Sequence, residues 1–107
     1  MIIFVDIDNT ILKTNGLNYE NSTPMLERIN IINNLYDSGH TIIYWTARGT
    51  ESGKNWIDIT KKQFIKFNVK YHELRFGKPV YDMFIDDKNF NSEDFFNEKH
   101  KAINSKI

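Results

Sequence analysis

The stretch MIIFVDIDNTI, residues 1–11, decides how this chain is read. An uninterrupted apolar run, Ile2 to Val5, passes straight into Asp6 and Asp8. Alternate residues of a strand share a face, so a continuing strand would crowd the two carboxylates together. Either the strand ends at Val5 and the aspartates serve a turn, as Asp and Asn commonly do, or a cation, a phosphate or both lie between them.

The bulk properties set the frame. With 107 residues, 40% hydrophobic and 14% aromatic, residues 1–107 suffice for one packed domain and are too few for two. Lys+Arg and Asp+Glu each total 14, so the formal net charge is zero. That argues against a duplex-coating nucleic-acid binder, which carries a basic excess, while leaving room for a local basic patch. Without cysteine there is no disulfide framework, thiolate chemistry or Cys-based zinc site. The opening residues lack the basic start and long apolar run of a signal peptide, and no segment is apolar over a bilayer's span. The expectation is a soluble, cytoplasmic protein with no membrane partner.

Along the chain, Ile2–Val5 has the continuous apolar pattern of a strand buried on both faces. Residues 11–23 carry Asn, Gly and Ser and read as an excursion or small flap. Ser22-Thr23-Pro24 resembles a helix start, and Met25, Leu26, Ile29, Ile32, Leu35 and Tyr36 follow at helical spacing until Ser38-Gly39. Residues 41–46, TIIYWT, form a second apolar, β-rich run. A helix is expected over 54–67, with Trp56, Ile57, Phe64 and Phe67 on one side. A third strand is expected over 69–74, a short fourth over 83–85, and a last helix over 90–103. Strand, helix, strand, helix, strand is the grammar of a parallel sheet with helices on both faces. Asp6, Thr46 and Asp86 each stand directly after an apolar run, and open α/β sheets bind ligands outside the carboxyl ends of their strands. Three strands thus deliver carboxylates and a hydroxyl to one edge, which a plain turn at Asp6 does not explain.

FVDIDNTI (4–11), TIIYWTARG (41–49) and GKPVYDMFIDDKN (77–89) resemble, in order, the four motifs of the haloacid dehalogenase superfamily of phosphotransferases. YWTARG and FGKPVYDMFIDD are similar to small phosphatase-like proteins associated with bacterial surface-polysaccharide synthesis. The resemblance implies a three-layer Rossmann-like fold around a mainly parallel sheet, and a Mg²⁺-dependent phosphatase. It makes Asp6 the nucleophile that forms an aspartyl-phosphate. Asp8 becomes the general acid and then base, and its main-chain carbonyl a metal contact. Thr46 would donate to a phosphate oxygen, helped by N–H groups of the Ala47-Arg48-Gly49 turn. Lys78 would neutralise charge shared by the phosphate and Asp6. Asp86 would ligate Mg²⁺ directly and Asp87 through water. Mg²⁺ keeps several waters, so two or three such oxygen ligands suffice.

Other residues stay open. Arg48 either grips the phosphate or a second anionic group, or is a surface arginine. Asn9 either bonds at the site or shapes the turn. His40, His72 and His100 show no ligand spacing. Neither the 11–23 excursion nor the 49–77 interval can fold a separate cap domain, so the chain is expected to be capless. The open site would then be covered by the flap from Leu12 to Glu20, by a second subunit, or by a bulky substrate, with Tyr19, Phe76 and Tyr81 available to line it. The leading substrate class is a small phosphorylated metabolite such as a sugar phosphate; polynucleotide ends and phosphoproteins are alternatives. Outside this chemistry the competing readings are a phosphoacceptor receiver domain, a haloacid dehalogenase and a phosphate-binding module without catalysis.

Overall fold

The computed structural model describes residues 1–99. In chain order the elements are β1 (Ile2–Val5), β2 (Leu12–Lys13), a 3-10 turn (Tyr19–Asn21), β3 (Thr23–Pro24), α1 (Leu26–Asp37), β4 (Thr41–Trp45), α2 (Ile57–Lys66), β5 (Glu73–Arg75) and α3 (Ser92–Asp94), which runs on into a π-helical turn, Phe95–Lys99. The main sheet is parallel, in the order β1-β4-β5, with Val5 opposite Tyr44 and Tyr44 opposite Leu74. β2 and β3 form a separate antiparallel pair. The chain is therefore an α/β protein built on a three-stranded parallel sheet.

Alternation along the strands sorts their side chains onto two faces. Ile3, Val5, Ile42, Tyr44 and Leu74 share one face and pack with Ile29, Ile32 and Leu35 of α1 and Phe64 of α2. The Tyr44 and Phe64 rings meet edge to face at 5.0 Å. On the other face Ile2 is 70% and Phe4 50% exposed, and the Arg75 guanidinium lies 5.3 Å from the Phe4 ring. Burial on both faces, expected for β1, is thus met on one face only. Parallel crossovers are right-handed, and two successive ones that advance the same way across a sheet place both helices on the same side.

Four further expectations are corrected. Ser22-Thr23-Pro24 does not start the helix: Thr23–Pro24 is β3, and α1 begins at Leu26 with no side-chain cap. The Ser22 hydroxyl is engaged with the Thr14 hydroxyl, at 2.7 Å, rather than with a helix N-terminus. No strand forms over 83–85; residues 79–91 are exposed throughout and carry no regular structure. The strand expected over 69–74 is shorter and later, Glu73–Arg75. Ile57, expected on the inner side of α2, is exposed. The last helix is seen from Ser92 to Lys99, and the remainder of its expected span, with His100, lies outside the described residues. Among the described residues no helix is long and apolar enough to cross a membrane.

Candidate active site

β1 ends at Val5, and the chain turns at once. The Ile7 carbonyl accepts from the N–H groups of Thr10, Ile11 and Leu12 at 2.9–3.1 Å, while the Ile7 side chain is fully buried. Asn9 takes a left-handed φ of 60°, a region Asn tolerates better than most residues. Its side-chain oxygen accepts from the Thr14 N–H at 3.2 Å, so of its two readings Asn9 shapes the turn. This tight loop separates the two aspartates and sends them to different partners.

The Asp6 carboxylate is partly open. Its Oδ2 accepts from the Thr10 hydroxyl at 3.1 Å, and its Oδ1 accepts from the Lys78 ammonium at 3.3 Å. Lys78 is held over that carboxylate by its own backbone: its N–H donates to the Thr46 carbonyl at 3.1 Å, and its carbonyl accepts from the Thr50 hydroxyl at 2.8 Å. Thr46 follows β4 directly and is buried, its Oγ1 accepting from the Arg48 N–H at 3.1 Å. Gly49 closes this loop at φ 78°, where an added Cβ would collide with the Lys54 carbonyl oxygen. Asp6, Thr46 and Lys78, far apart in sequence, are thus tied into one framework.

Asp8 looks inward. Its carboxylate receives a two-pronged ion pair from Arg48, with Nη2 at 2.8 Å and Nε at 3.0 Å, and a third bond from the Thr14 hydroxyl at 2.6 Å. The Arg48 side chain is 0% exposed and that of Asp8 20%. The guanidinium also donates to Thr60 Oγ1 at 3.0 Å and Gln63 Oε1 at 2.6 Å, and lies 4.9 Å from the Tyr19 ring. A buried guanidinium needs this many acceptors, since an unpaired one would forfeit its hydration. Arg48 is therefore neither a surface side chain nor open to a phosphate. The Tyr19 hydroxyl pKa is raised, by burial first and then by the charge of Asp8, against a smaller lowering by Arg48.

Asp86 and Asp87 are not brought to this site. Both lie in the exposed 79–91 segment, where Asp86 Oδ2 accepts from the Lys88 N–H at 3.2 Å. Among the described residues no three His, Cys, Asp or Glu side chains gather where they would hold a metal. In kind, the donors at β1 fit a hard cation: Asp6 and the Asp8 carbonyl are oxygen ligands, and Mg²⁺ is satisfied by one or two carboxylates with water completing its shell. The flap expected from Leu12 to Glu20 is partly structural, with Leu12 and Thr14 buried and Leu17 exposed. Of the aromatics named for lining, Tyr81 sits 5.5 Å from the Lys78 ammonium. His40 is buried with Nδ1 3.0 Å from the Met1 nitrogen, and His72 Nδ1 accepts from the Ile42 N–H at 3.1 Å.

Sequence reasoning assigned no site role to Thr10, Thr14, Thr60 and Gln63, and read Ser22 only as a helix start. A signal for two of them was present. Positions 56, 60, 63, 64 and 67 form one helical stripe, and Thr60 and Gln63 interrupt its apolar character. Polar residues on an inward stripe mark a buried polar partner, here Arg48.

No protein-family model and no curated protein matches the chain. Among solved structures it is similar to the crystal structure of a structural-genomics target from Vibrio cholerae, with a TM-score of 0.82 and 24% identity, covering 99% of this chain and 98% of that one. A likeness at that identity concerns the fold alone.

Proposed function

We propose that this chain is a Mg²⁺-dependent phosphomonoester hydrolase of the haloacid dehalogenase type, acting on a small phosphorylated metabolite such as a sugar phosphate. On this reading the three-stranded parallel sheet, with its helices on one face, is a capless form of that superfamily's Rossmann-like fold. The observation that carries this reading is Lys78, whose ammonium lies 3.3 Å from Asp6 across 72 residues of sequence while its backbone is fastened to Thr46. A partly open carboxylate, a fixed ammonium and a strand-end threonine are the parts that phosphoryl transfer needs, since its catalysis is mostly positioning and charge stabilisation.

In the reaction an Asp6 oxygen attacks phosphorus and the P–O bond to the leaving alcohol breaks, giving an aspartyl-phosphate. Lys78 stabilises the negative charge on the phosphoryl oxygens, and the Thr10 bond keeps the second Asp6 oxygen oriented. Mg²⁺, held by Asp6 and the Asp8 carbonyl, would screen the repulsion between carboxylate and phosphate. Asp8 gives a proton to the leaving oxygen and then takes one from the water that hydrolyses the intermediate. Asp8 Oδ1 accepts from both Arg48 and Thr14 but Oδ2 from Arg48 alone, so the proton Asp8 gives and takes passes through the open lone pair of Oδ2, with Arg48 as the positioning residue that holds the carboxylate.

The test is steady-state hydrolysis of an aryl phosphate, with Mg²⁺ and with chelator, by wild type, Asp6→Asn and Lys78→Met. Metal-dependent turnover abolished in Asp6→Asn is expected, with a loss of about 10²–10³ in kcat for Lys78→Met, the range seen when one charge-stabilising donor is removed. Undiminished turnover in Asp6→Asn would overturn the reading.

A further inference from the structure

β1 is an edge strand, and an unusual one. Among the described residues it pairs only with β4, so its other side carries free backbone donors and acceptors. Exposed edges are ordinarily blunted by lysine, proline or a bulge. IIFV has none of these, and Ile2 and Phe4 stand exposed beside the open edge. The same chain displays a matching piece. Residues 79–91 form an arm exposed along its whole length, with Val80, Tyr81, Met83, Phe84, Ile85 and Phe90 presented to solvent; Ile85 is 87% and Met83 76% exposed. Contiguous exposed apolar surface of this kind marks an interaction site.

The arm and the edge have the same grammar. β1 is an apolar run that ends in Asp6; the arm is an apolar run that ends in Asp86 and Asp87. Laid parallel with Asp86 beside Asp6, the arm sets Phe84 beside Phe4 and Asp82 beside Ile2. Both ends of the arm are held by its own body. Lys78 is bonded to Thr46 and Thr50 on one side; Phe95 is buried in the core, and Glu93 pairs with Arg28 at 2.8 Å, on the other. Held this way, the arm stands away from its own β1 and leaves it unpaired.

We infer that the arm of each copy docks as a strand along β1 of a second copy, reciprocally, so that Asp86 and Asp87 of one chain complete the Asp6–Asp8 site of the other. The metal-site part of this inference rests on the hydrolase reading above; the docking itself does not. The exchange supplies β1 with its missing neighbour and covers the apolar arm. With donor and acceptor counted, it approaches the roughly 20–30 residues a side typical of stable interfaces. It also makes β1 the strand where the sheet order reverses, the place at which open α/β sheets bind ligands. The reciprocal contact closes as a two-fold dimer.

The chain lacks cysteine, so engineered thiols report the docking without background. Phe4→Cys with Phe84→Cys, oxidised and run on a non-reducing gel, is expected to give a covalent dimer that dithiothreitol reverts to monomer. Ile2→Cys with Asp82→Cys, at two exposed positions, repeats the test where packing is not at stake. An oxidised monomer would show that the arm returns to its own β1, and unreacted thiols that it docks on neither; both overturn the exchange and leave hydrolysis untouched. Activity then tests the shared site. Mixed and re-equilibrated Asp6→Asn and Asp86→Asn chains should recover about a quarter of wild-type turnover, because half the dimers carry one intact site of two. No recovery, with wild type active and the covalent dimer formed, would overturn the contribution of Asp86 across the interface.

Discussion

Replacing Arg48 by methionine isolates the buried ion pair that holds the first loop to the body of the protein. The substitution keeps most of the side-chain volume and removes the two bonds to Asp8 and those to Thr60 and Gln63. Breaking a buried pair by deleting one partner costs about 3–5 kcal/mol, because the other charge stays behind uncompensated. Asp8 retains 20% exposure and its Thr14 bond, which places this contribution near the lower end, at about 3 kcal/mol. Gln63 Oε1 loses its donor in a buried setting, adding about 1 kcal/mol, whereas the Thr60 hydroxyl keeps its bond to the Trp56 carbonyl. The sum is about 4 kcal/mol, a large share of the ~5–15 kcal/mol by which domains are stable. For a chain of this length that corresponds to a fall in Tm of about 15–20 °C. Urea unfolding followed by far-UV circular dichroism reads it directly. Arg48→Lys, with charge but no fork, should lose about half as much. An Asp8→Asn, Arg48→Met cycle should return a coupling of about 1–3 kcal/mol. A loss below about 1 kcal/mol in Arg48→Met would mean that the pair behaves as a solvated surface contact, and would refute the structural role given to it.

Three smaller perturbations follow from the same structure. The Tyr44 hydroxyl is buried without a hydrogen-bond partner among the described residues, so Tyr44→Phe should leave the unfolding free energy unchanged or raise it by about 1 kcal/mol; a loss in the urea midpoint would reveal a partner. Burial, helped by the N-terminal charge, lowers the His40 pKa below its ordinary value, so the unfolded chain takes up this proton first. Stability should therefore fall as pH drops below about 6.5 and level off beneath the folded pKa, with a His40 slope of at most ~1.4 kcal/mol per pH unit that disappears in His40→Leu. Gly49→Ala meets both a positive φ and the Lys54 carbonyl, and should cost about 1–3 kcal/mol in thermal unfolding; a neutral result would mean that the 46–50 loop adjusts freely.

The strands and helices that pack on the core were legible because each carries its own period. IIFV and TIIYW read as strands, and Ile29, Ile32 and Leu35 as a helix face, from spacing alone. What spacing does not carry is which side of a strand is covered. An apolar run looks the same whether its second face meets a helix or solvent, so IIFV reads as buried on both faces although Ile2 and Phe4 are exposed. The cap signature at Ser22 failed for a related reason. A hydroxyl competes for the strongest local partner, and Thr14 with the nearby Arg48 outweighs a helix N-terminus. At the site, Asp6, Thr46 and Lys78 were legible from motif order. Arg48 was not, because its acceptors come from two distant elements, the first loop and α2. Asp86 followed the motif in sequence but not in space, because residues 83–85, ahead of it, pair with no strand among the described residues.

The central proposal is that Asp6 is the nucleophile, and it is tested most directly by acid-quenching the protein during incubation with an aryl phosphate and Mg²⁺ and weighing the peptide that carries residues 1–13. The expected result is one added phosphoryl mass on that peptide, removed by hydroxylamine as an acyl-phosphate should be, and absent in Asp6→Asn. Turnover that leaves this peptide unmodified at every quench time, and that survives in Asp6→Asn, would contradict it.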